Sequence, residues 1–376
     1  MSGTLFDLPD IQFTDPNVLE TANDLITSFE AISDTKLYPA DPVRLFFLSI
    51  AKRLVVQEAM IDTSAKANLL RYARKDFLDH LGAFSETTRL EATAAVTTMR
   101  FNVSQAQASA IPIPSGTRTV PEAKSGLYFE VVSPGSVPAG ATHTDLLCRC
   151  ALPGEAGNGY LPGQINRLVD PIPYISSVSN VTESSGGADR ETDDMYRERI
   201  HEAPESFSVA GPDGAYKYWA KSASPQIIDV AVHTPSPGVV NIVPLLAGGE
   251  SPSQELLDAV LAKCSDKKVR PLTDNVTASA PTDVEYSVSY TYWIESSRAS
   301  EEAAIRQAVE AASEGYTTWQ KSKLGRDINP SELIRRAMAA GAYRVDITAP
   351  VFQALAKTEK AALTAVNVVY GGLMDD

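Results

Sequence analysis

The chain has 376 residues, of which 44% are hydrophobic and 21% charged, with 33 basic against 47 acidic side chains and a formal charge of −14. That length holds roughly two to four domains, and the acidic balance excludes binding driven by nucleic-acid phosphates or an anionic membrane, which recruits Lys and Arg. The three cysteines, Cys148, Cys150 and Cys264, are too few and odd in number for a disulfide framework and point to a reducing compartment. The opening MSGTLFDLPDIQF lacks the basic and apolar regions of a secretory signal. No apolar run approaches the ~20 residues of a spanning helix, so synthesis in a cytoplasm and no membrane insertion are expected.

Asp15-Pro16 precedes ETANDLITSFEAI, which reads as a short helix with its cap there. Asp41 suits an N-cap and Pro42 a first helical position. Val43, Phe46, Phe47, Ile50, Leu54 and Met60 follow at helical spacing. A second run holds Leu69, Leu70, Ala73, Phe77, Leu78 and Leu81, with Gly82 as a stop. The two runs predict one long bent helix or a helical hairpin, and 1–94 reads as an N-terminal helical segment. It is more apolar than an isolated hairpin needs, which makes Phe46, Phe47 and Ile50 candidate partner contacts.

From about residue 95 the hydrophobic period changes to two, with Thr97, Met99, Phe101 and Val103 alternating with polar neighbours. Further strands are predicted at AIPIP, LYFEVVS and TDLLCRCAL, so 95–185 reads as an inserted small β-sandwich or barrel domain with a proline-rich exit, VDPIPYI. Cys148 and Cys150 share one strand face with Leu146 and Leu152. Their thiols read as core, because the nearest histidine, His143, does not complete a zinc set.

Residues 186–224 read as a helical linker holding MYRERIHEA and GAYKYWAKSA, with the turn SVAGPDG between them. Over 225–296, strands are expected at IIDVAVHT and GVVNIVPLL, followed by the helix QELLDAVLAKC. Ser251 would cap that helix, with Pro252 first and Gln254 closing the box. DVEYSVSYTYWI is a long alternating strand. Residues 297–376 hold a helix from about Ser300 to Lys321, another opened by Asn329 and Pro330 with Glu332, and strands YRVDIT and LTAVNVVY. The fold class is therefore α+β multidomain: an N-terminal helical segment, the β insert and C-terminal α+β domains.

The stretch SSGGADRETDDMYRERI, 184–200, concentrates charge. Asp189, Glu191 and Asp193 alternate as calcium ligands do, but the sixth and twelfth loop positions are Asp194 and Ile200 where a glycine and a bidentate Glu are required. A glycosidase pair would need a cleft about 5–10 Å across with one carboxyl desolvated, and a polar, arginine-rich run gives no sign of one. The glycines instead allow a tight path into a helix whose acids favour its dipole. Asp193 and Arg197 are spaced as an i,i+4 pair; Asp194 and Glu198 repel. A solvated or interface helix is expected, with Asp189, Asp193, Asp194, Arg197 and Arg199 as candidate interface charges. Charge reversal at Arg197 and Arg199 is then expected to impair assembly and leave the fold intact. Tyr216 and Trp219 share a helix face and suit core or subunit packing better than a carbohydrate platform. The histidines are scattered, and no phosphate-binding loop or nucleophile elbow occurs, so no catalytic, metal or cofactor residue is expected.

Several ordered blocks resemble the baseplate J-like proteins of contractile phage tails, whose relatives occur in bacteriocins and other contractile injection machines. They are GGADRETDDMYRERI, SFSVAGPDGAYKYWAKSASPQIIDVAVHTPSPGVVNIVPL, VRPLTDNVTASAPTDVEYSVSYTYWI and KLGRDINPSELIRRAMAAGAYRVDITAP, with IPIPSGTRTV upstream. The resemblance spans about 40–376 and is densest from 186 to 350; shorter relatives lack much of the region around 97–185. It implies a structural component of baseplate wedges, set around a hub with six-fold symmetry in the tail of the particle. The N-terminal helices would join a second wedge protein and a further copy. The C-terminal domains would link neighbouring wedges into a ring that relays the trigger for sheath contraction. Implied partners are further copies of the chain, other wedge proteins and hub- or sheath-adjacent tail proteins, with no cofactor and no chemical step. Two other functions are weighed against this: a tail-associated wall hydrolase using the acids of 189–194, and a carbohydrate-binding module in 95–185.

Overall fold

A computed structural model describes residues 8–121, 126–208, 211–266, 269–271 and 273–375. The chain forms two compact units, one of residues 1–89 with 192–201 and one of 90–191 with 202–376. Part of the expected turn SVAGPDG, at 209–210, lies outside the described residues.

The first unit begins with α1 (Val18–Ser33), whose cap is Asn17 and not the expected Asp15-Pro16; the Asn17 side chain accepts from the amides of Leu19 and Glu20. Helix α2 (Pro42–Lys66) starts as expected, with Asp41 accepting from the Val43 amide and Pro42 at the first position. Phe47 meets Phe29 of α1 with ring centroids 5.2 Å apart. The chain then turns irregularly through 67–74 before α3 (Lys75–Ala83), so the two runs are neither one bent helix nor a simple hairpin. Gly82 lies inside α3 and stops nothing. A Cβ there would meet Tyr196 Oη at 2.0 Å, so its role is close approach. Tyr196 comes from α4 (Asp193–Glu202) and packs with Ala73, Leu78 and Ile200.

The second unit opens with eight strands: β1 (Val96–Val103), β2 (Ile111–Ile113), β3 (Arg118–Pro121), β4 (Phe129–Val131), β5 (Gly135–Val137), β6 (His143–Cys150), β7 (Ile165–Leu168) and β8 (Ile175–Asn180). Six of them form a sheet in the order β7-β3-β4-β6-β1-β8, while β2 and β5 pair separately. The sheet is nearly closed, and the join between β7 and β8 rests on a side chain. Buried Asn180 accepts from the Ile165 amide at 2.9 Å and donates to the carbonyls of Tyr160, Leu161 and Thr182. Met99, Phe101, Phe129, Cys148 and Ile165 fill the interior. Burial among these side chains pushes the Cys148 thiol up to about 12, in keeping with its place in the core. The shared face ends at Cys150; Leu152, beyond the strand, is exposed.

Next come α5 (Asp213–Lys221), β9 (Ile227–Ser236), β10 (Val239–Leu246), α6 (Gln254–Cys264) and β11 (Asn275–Ala278). They build a sheet ordered β11-β10-β9. The α6 cap is Ser253, whose hydroxyl accepts from the Leu256 amide, so the expected Ser251 and Pro252 lie before the helix.

The last part holds β12 (Thr282–Glu295), α7 (Glu302–Gln320), α8 (Pro330–Ala339), β13 (Arg344–Ala349) and β14 (Glu359–Met374). The sheet order is β13-β12-β14, with β14 parallel to β12, a pairing that requires a crossover and receives one through the helices. Tyr286, Val288, Tyr290, Tyr292 and Ile294 alternate along β12 and bury against Ile305, Val309 and Tyr316 of α7 and Leu333 of α8. Leu324 packs on Ala231, Val243 and Leu245 of the preceding sheet, and its amide donates to Asp229 at 2.9 Å. Buried Lys360 pairs with Asp283 at 3.2 Å and donates to the Gly249 carbonyl.

Two outcomes are expected. Asn180→Leu strands the Ile165 amide, while the Tyr160, Leu161 and Thr182 carbonyls keep donors in Ser184, Gln164 and Thr97, so it should cost roughly 1–3 kcal/mol in urea unfolding. On α8, hydrogen bonds from Arg335, opposed by burial and reinforced by Arg336, hold Glu332 down from 4.5 to about 2. A folded value below the unfolded one stabilises fully above pH 4.5 and is lost as pH falls from 4.5 to 2. Acid titration of Glu332→Gln by circular dichroism should therefore show a shallower loss of stability across that window.

Candidate assembly interface

The charged stretch works in two halves. From Ser184 to Glu191 it serves the barrel. Ser184 Oγ donates to the Gly157 carbonyl at 2.7 Å and accepts from the Tyr160 amide at 3.0 Å. Gly187 exchanges hydrogen bonds with Asn158 at 2.7 and 2.9 Å, and a Cβ there would lie 2.4 Å from the Gly154 carbonyl oxygen. Gly186 takes φ +83°, the left-handed turn that admits this approach. Exposed Asp189 accepts from the Glu155 amide at 3.2 Å. Glu191 is buried; its carboxylate accepts from the Leu90 amide at 2.9 Å and its own amide returns a bond to the Leu90 carbonyl at 3.0 Å.

From Thr192 the stretch belongs to the helical unit. Asp193 accepts from the Lys75 amide at 3.1 Å and pairs with Arg89 at 2.8 Å. Burial raises its pKa, but the Lys75 amide and Arg89 outweigh that and hold the carboxyl below the usual range. A glycosidase general acid needs the opposite shift. Arg197 is 3% exposed: Nε donates to the Leu70 carbonyl at 2.8 Å, Nη2 to the Ala73 carbonyl at 2.7 Å and Nη1 to Asp194 at 2.5 Å. Arg199 is 4% exposed and donates to the Thr88 carbonyl at 2.5 Å. The expected solvated helix is therefore corrected at both arginines, and the ion pair of Arg197 is with Asp194, not Asp193. The physical reason is the irregular stretch 67–74, where the Leu70 and Ala73 carbonyls take their donors from Arg197. Asp194 projects into solvent, its side chain 82% exposed, and Glu198 is exposed as well. Among the described residues, no group of three or more His, Cys, Asp and Glu is placed to hold a metal.

Tyr216 is fully buried among Ile227, Val230, Val260 and Cys264, and its hydroxyl donates to Asp274 at 2.8 Å. Half-buried Trp219 packs against the same cluster. Core packing thus accounts for both. An open cleft of about 760 Å³ lies near Glu155, Glu183, Gln226 and Glu250; its lining holds three glutamates and no Lys or Arg, which suits no phosphate-bearing cofactor.

The apolar surface lies on the N-terminal helices. Of the 25 described residues of α2, Ala51 alone is buried. Phe46 is 60% exposed, with Leu45, Val56, Met60 and Ile61 also exposed, and Leu19 and Ile32 of α1 are open too. Phe47 and Ile50 are half-buried, Phe47 against α1. Phe46 and Met60 are fourteen residues, about four turns, apart and so lie on nearly the same side of α2.

Three family models match the chain in series: the baseplate J-like protein barrel domain over 98–187, the baseplate J-like central domain over 208–280 and the baseplate J-like protein C-terminal domain over 286–369. Baseplate protein J of Escherichia phage P2 is 36% identical over 184 residues, covering 48% of this chain and 60% of that protein. Protein XkdT of the phage-like element PBSX of Bacillus subtilis is 28% identical over 171 residues, 46% of this chain and 43% of that one. The match thus spans between two-fifths and three-fifths of the length of these curated relatives. A chain in the cryo-EM structure of the anti-feeding prophage baseplate aligns over 92% of this chain and 90% of its own, at 14% identity and a TM-score of 0.42.

Residues 188–207, including the arginine clamp, fall between the first two matched segments. Arg197→Met keeps the bulk but leaves the Leu70 and Ala73 carbonyls without donors. It should destabilise the protein by roughly 3–5 kcal/mol in urea unfolding, whereas Asp194→Lys at the exposed partner should cost less than about 1 kcal/mol. This replaces the expectation that charge reversal at Arg197 and Arg199 spares the fold.

Proposed function

Because the chain belongs to the baseplate J-like family, we propose that it is a structural component of the tail baseplate of a contractile phage or a phage-derived injection machine. The matched domains run in series through most of the chain, and baseplate protein J of phage P2 is a sequence relative. Within that setting its role is that of a wedge protein. It joins further copies of itself and other tail proteins, links wedges around the hub, and passes on the trigger for sheath contraction through interfaces and not through a chemical step.

The observation that carries the wedge assignment is the open apolar side of α2. A helix of 25 residues with one buried side chain gains little from its own unit. Its Phe46 and Met60 suit docking against partner helices, where apolar side chains at helical spacing act as anchors. The described carboxylates of 189–194 favour no wall-hydrolase alternative, since Asp189, Glu191, Asp193 and Asp194 each accept hydrogen bonds from this chain.

Co-expression of the full chain with the tail proteins encoded beside it tests this. A stable complex is expected, and Phe46→Glu with Met60→Glu should abolish co-purification. The melting temperature of the variant alone should hardly move, since exposed substitutions stay within about 0.5 kcal/mol. A monomer that ignores every tail protein would refute the assignment.

A further inference from the structure

Tyr286 and Tyr290 of β12 pack in one core with α7. The Tyr290 hydroxyl lies 2.6 Å from Ser313 Oγ, which donates to the Val309 carbonyl at 3.0 Å, so that pair is satisfied. Tyr286 stands four residues back along β12, about 13 Å at ~3.3 Å per residue. Tyr316 and Gln320 stand three and seven residues beyond Ser313 on α7, about 5 and 10 Å at ~1.5 Å per residue. The Tyr286 and Tyr316 rings meet edge to face at 84°, with centroids 6.5 Å apart. Gln320 follows Tyr316 by one turn and shares its side of the helix. Tyr316 and Gln320 are fully buried and Tyr286 is 7% exposed. Yet the hydroxyls of both tyrosines and Oε1 of Gln320 are enclosed without a hydrogen-bond partner among the described residues. Burial pushes the Tyr316 hydroxyl up to about 12, with Glu332 adding to the rise. Burial and then Tyr316 push the Tyr286 hydroxyl up as well, so both remain protonated donors. The other end of the Gln320 amide is engaged: Nε2 donates to the Arg326 and Asp327 carbonyls at 2.9 and 3.2 Å.

We propose that Tyr286 Oη, Tyr316 Oη and Gln320 Oε1 form a binding site for enclosed water, which is a structural ligand of the C-terminal core. A buried hydroxyl with no partner loses its hydration without compensation, and native interiors meet that need with ordered water where two to four polar groups converge. One molecule serves all three groups: the phenols donate to its lone pairs, and one of its protons goes to Gln320 Oε1. A direct bond between the phenols would leave one phenol proton and the Gln320 oxygen unserved. Two donors beside one acceptor suit neither a cation nor an anion. The water joins β12 to the last turn of α7 and fixes the Gln320 amide, whose Nε2 holds the loop at Arg326 and Asp327. That loop carries Leu324, which packs on Ala231, Val243 and Leu245 and whose amide donates to Asp229 at 2.9 Å. The hydration site is therefore a brace behind the junction of the central and C-terminal sheets. It goes beyond the baseplate reading and stands whether or not that reading does.

A high-resolution crystal structure of the full chain should show ordered water within about 3.2 Å of each of the three atoms. Tyr286→Phe with Tyr316→Phe keeps both rings and removes both donors. It should lower the urea midpoint and speed hydrogen exchange at the Leu324 amide. Hydroxyls that were merely stranded would give the opposite sign, because their removal relieves a desolvation cost and raises the midpoint. A midpoint that rises or stays, a Leu324 amide that exchanges as before, or density showing the three groups bonded to protein with no water between them would each overturn the proposal.

Discussion

A single buried guanidinium decides how the helical unit is put together. Arg197 donates to the carbonyls of Leu70 and Ala73 on a stretch that no helix or strand satisfies. A carbonyl left without a donor in that position costs ~1–3 kcal/mol, comparable with a sizeable part of a domain's net stability. Once α4 is drawn in to supply those donors, Tyr196 follows, and its hydroxyl reaches the Thr87 carbonyl at 2.6 Å. Gly82 must then be glycine, because the Tyr196 ring occupies the space of any larger residue.

The same logic runs through the residues just before it. Asn180, Ser184 and Glu191 each bind a backbone group that is remote in sequence, at Ile165, Gly157 and Leu90 among others, and the Gly187 backbone exchanges hydrogen bonds with the Asn158 side chain. The buried polar side chains of this stretch, Asn180, Ser184, Glu191, Arg197 and Arg199, hold their own units together. Large apolar side chains remain open on the side of α2 that carries Phe46 and Met60. That division suits an assembly component. Internal polar contacts fix the shape of each unit at a desolvation cost, while the free energy for association comes from surface still exposed to water.

The second unit adds connections of another kind. Leu324 enters the apolar side of the β9–β10 sheet, Asp229 holds its amide, and Lys360 reaches the Gly249 carbonyl. Contacts at several separated points resist rotation better than a single linker does, and they join the central and C-terminal sheets within this unit.

Local pattern was legible in the sequence. Asp41 and Pro42 mark the start of α2, Asn329 and Pro330 that of α8, and strict alternation marks β1 and β12. The apolar surplus of the N-terminal segment was also readable, because exposed Phe46 lies on a helix with too little around it to bury. The short strands β3, β5 and β7 were not legible, since three or four residues carry too little periodicity. The true caps Asn17 and Ser253 lost to neighbours with equally suitable side chains. Above all, the spacing of Arg197 and Arg199 is the same whether they face water or carbonyls. Only the tertiary structure decided that, because the groups they satisfy lie over a hundred residues upstream. Periodicity reports which side of an element is buried, whereas the partner of a buried charge depends on which distant backbone arrives beside it.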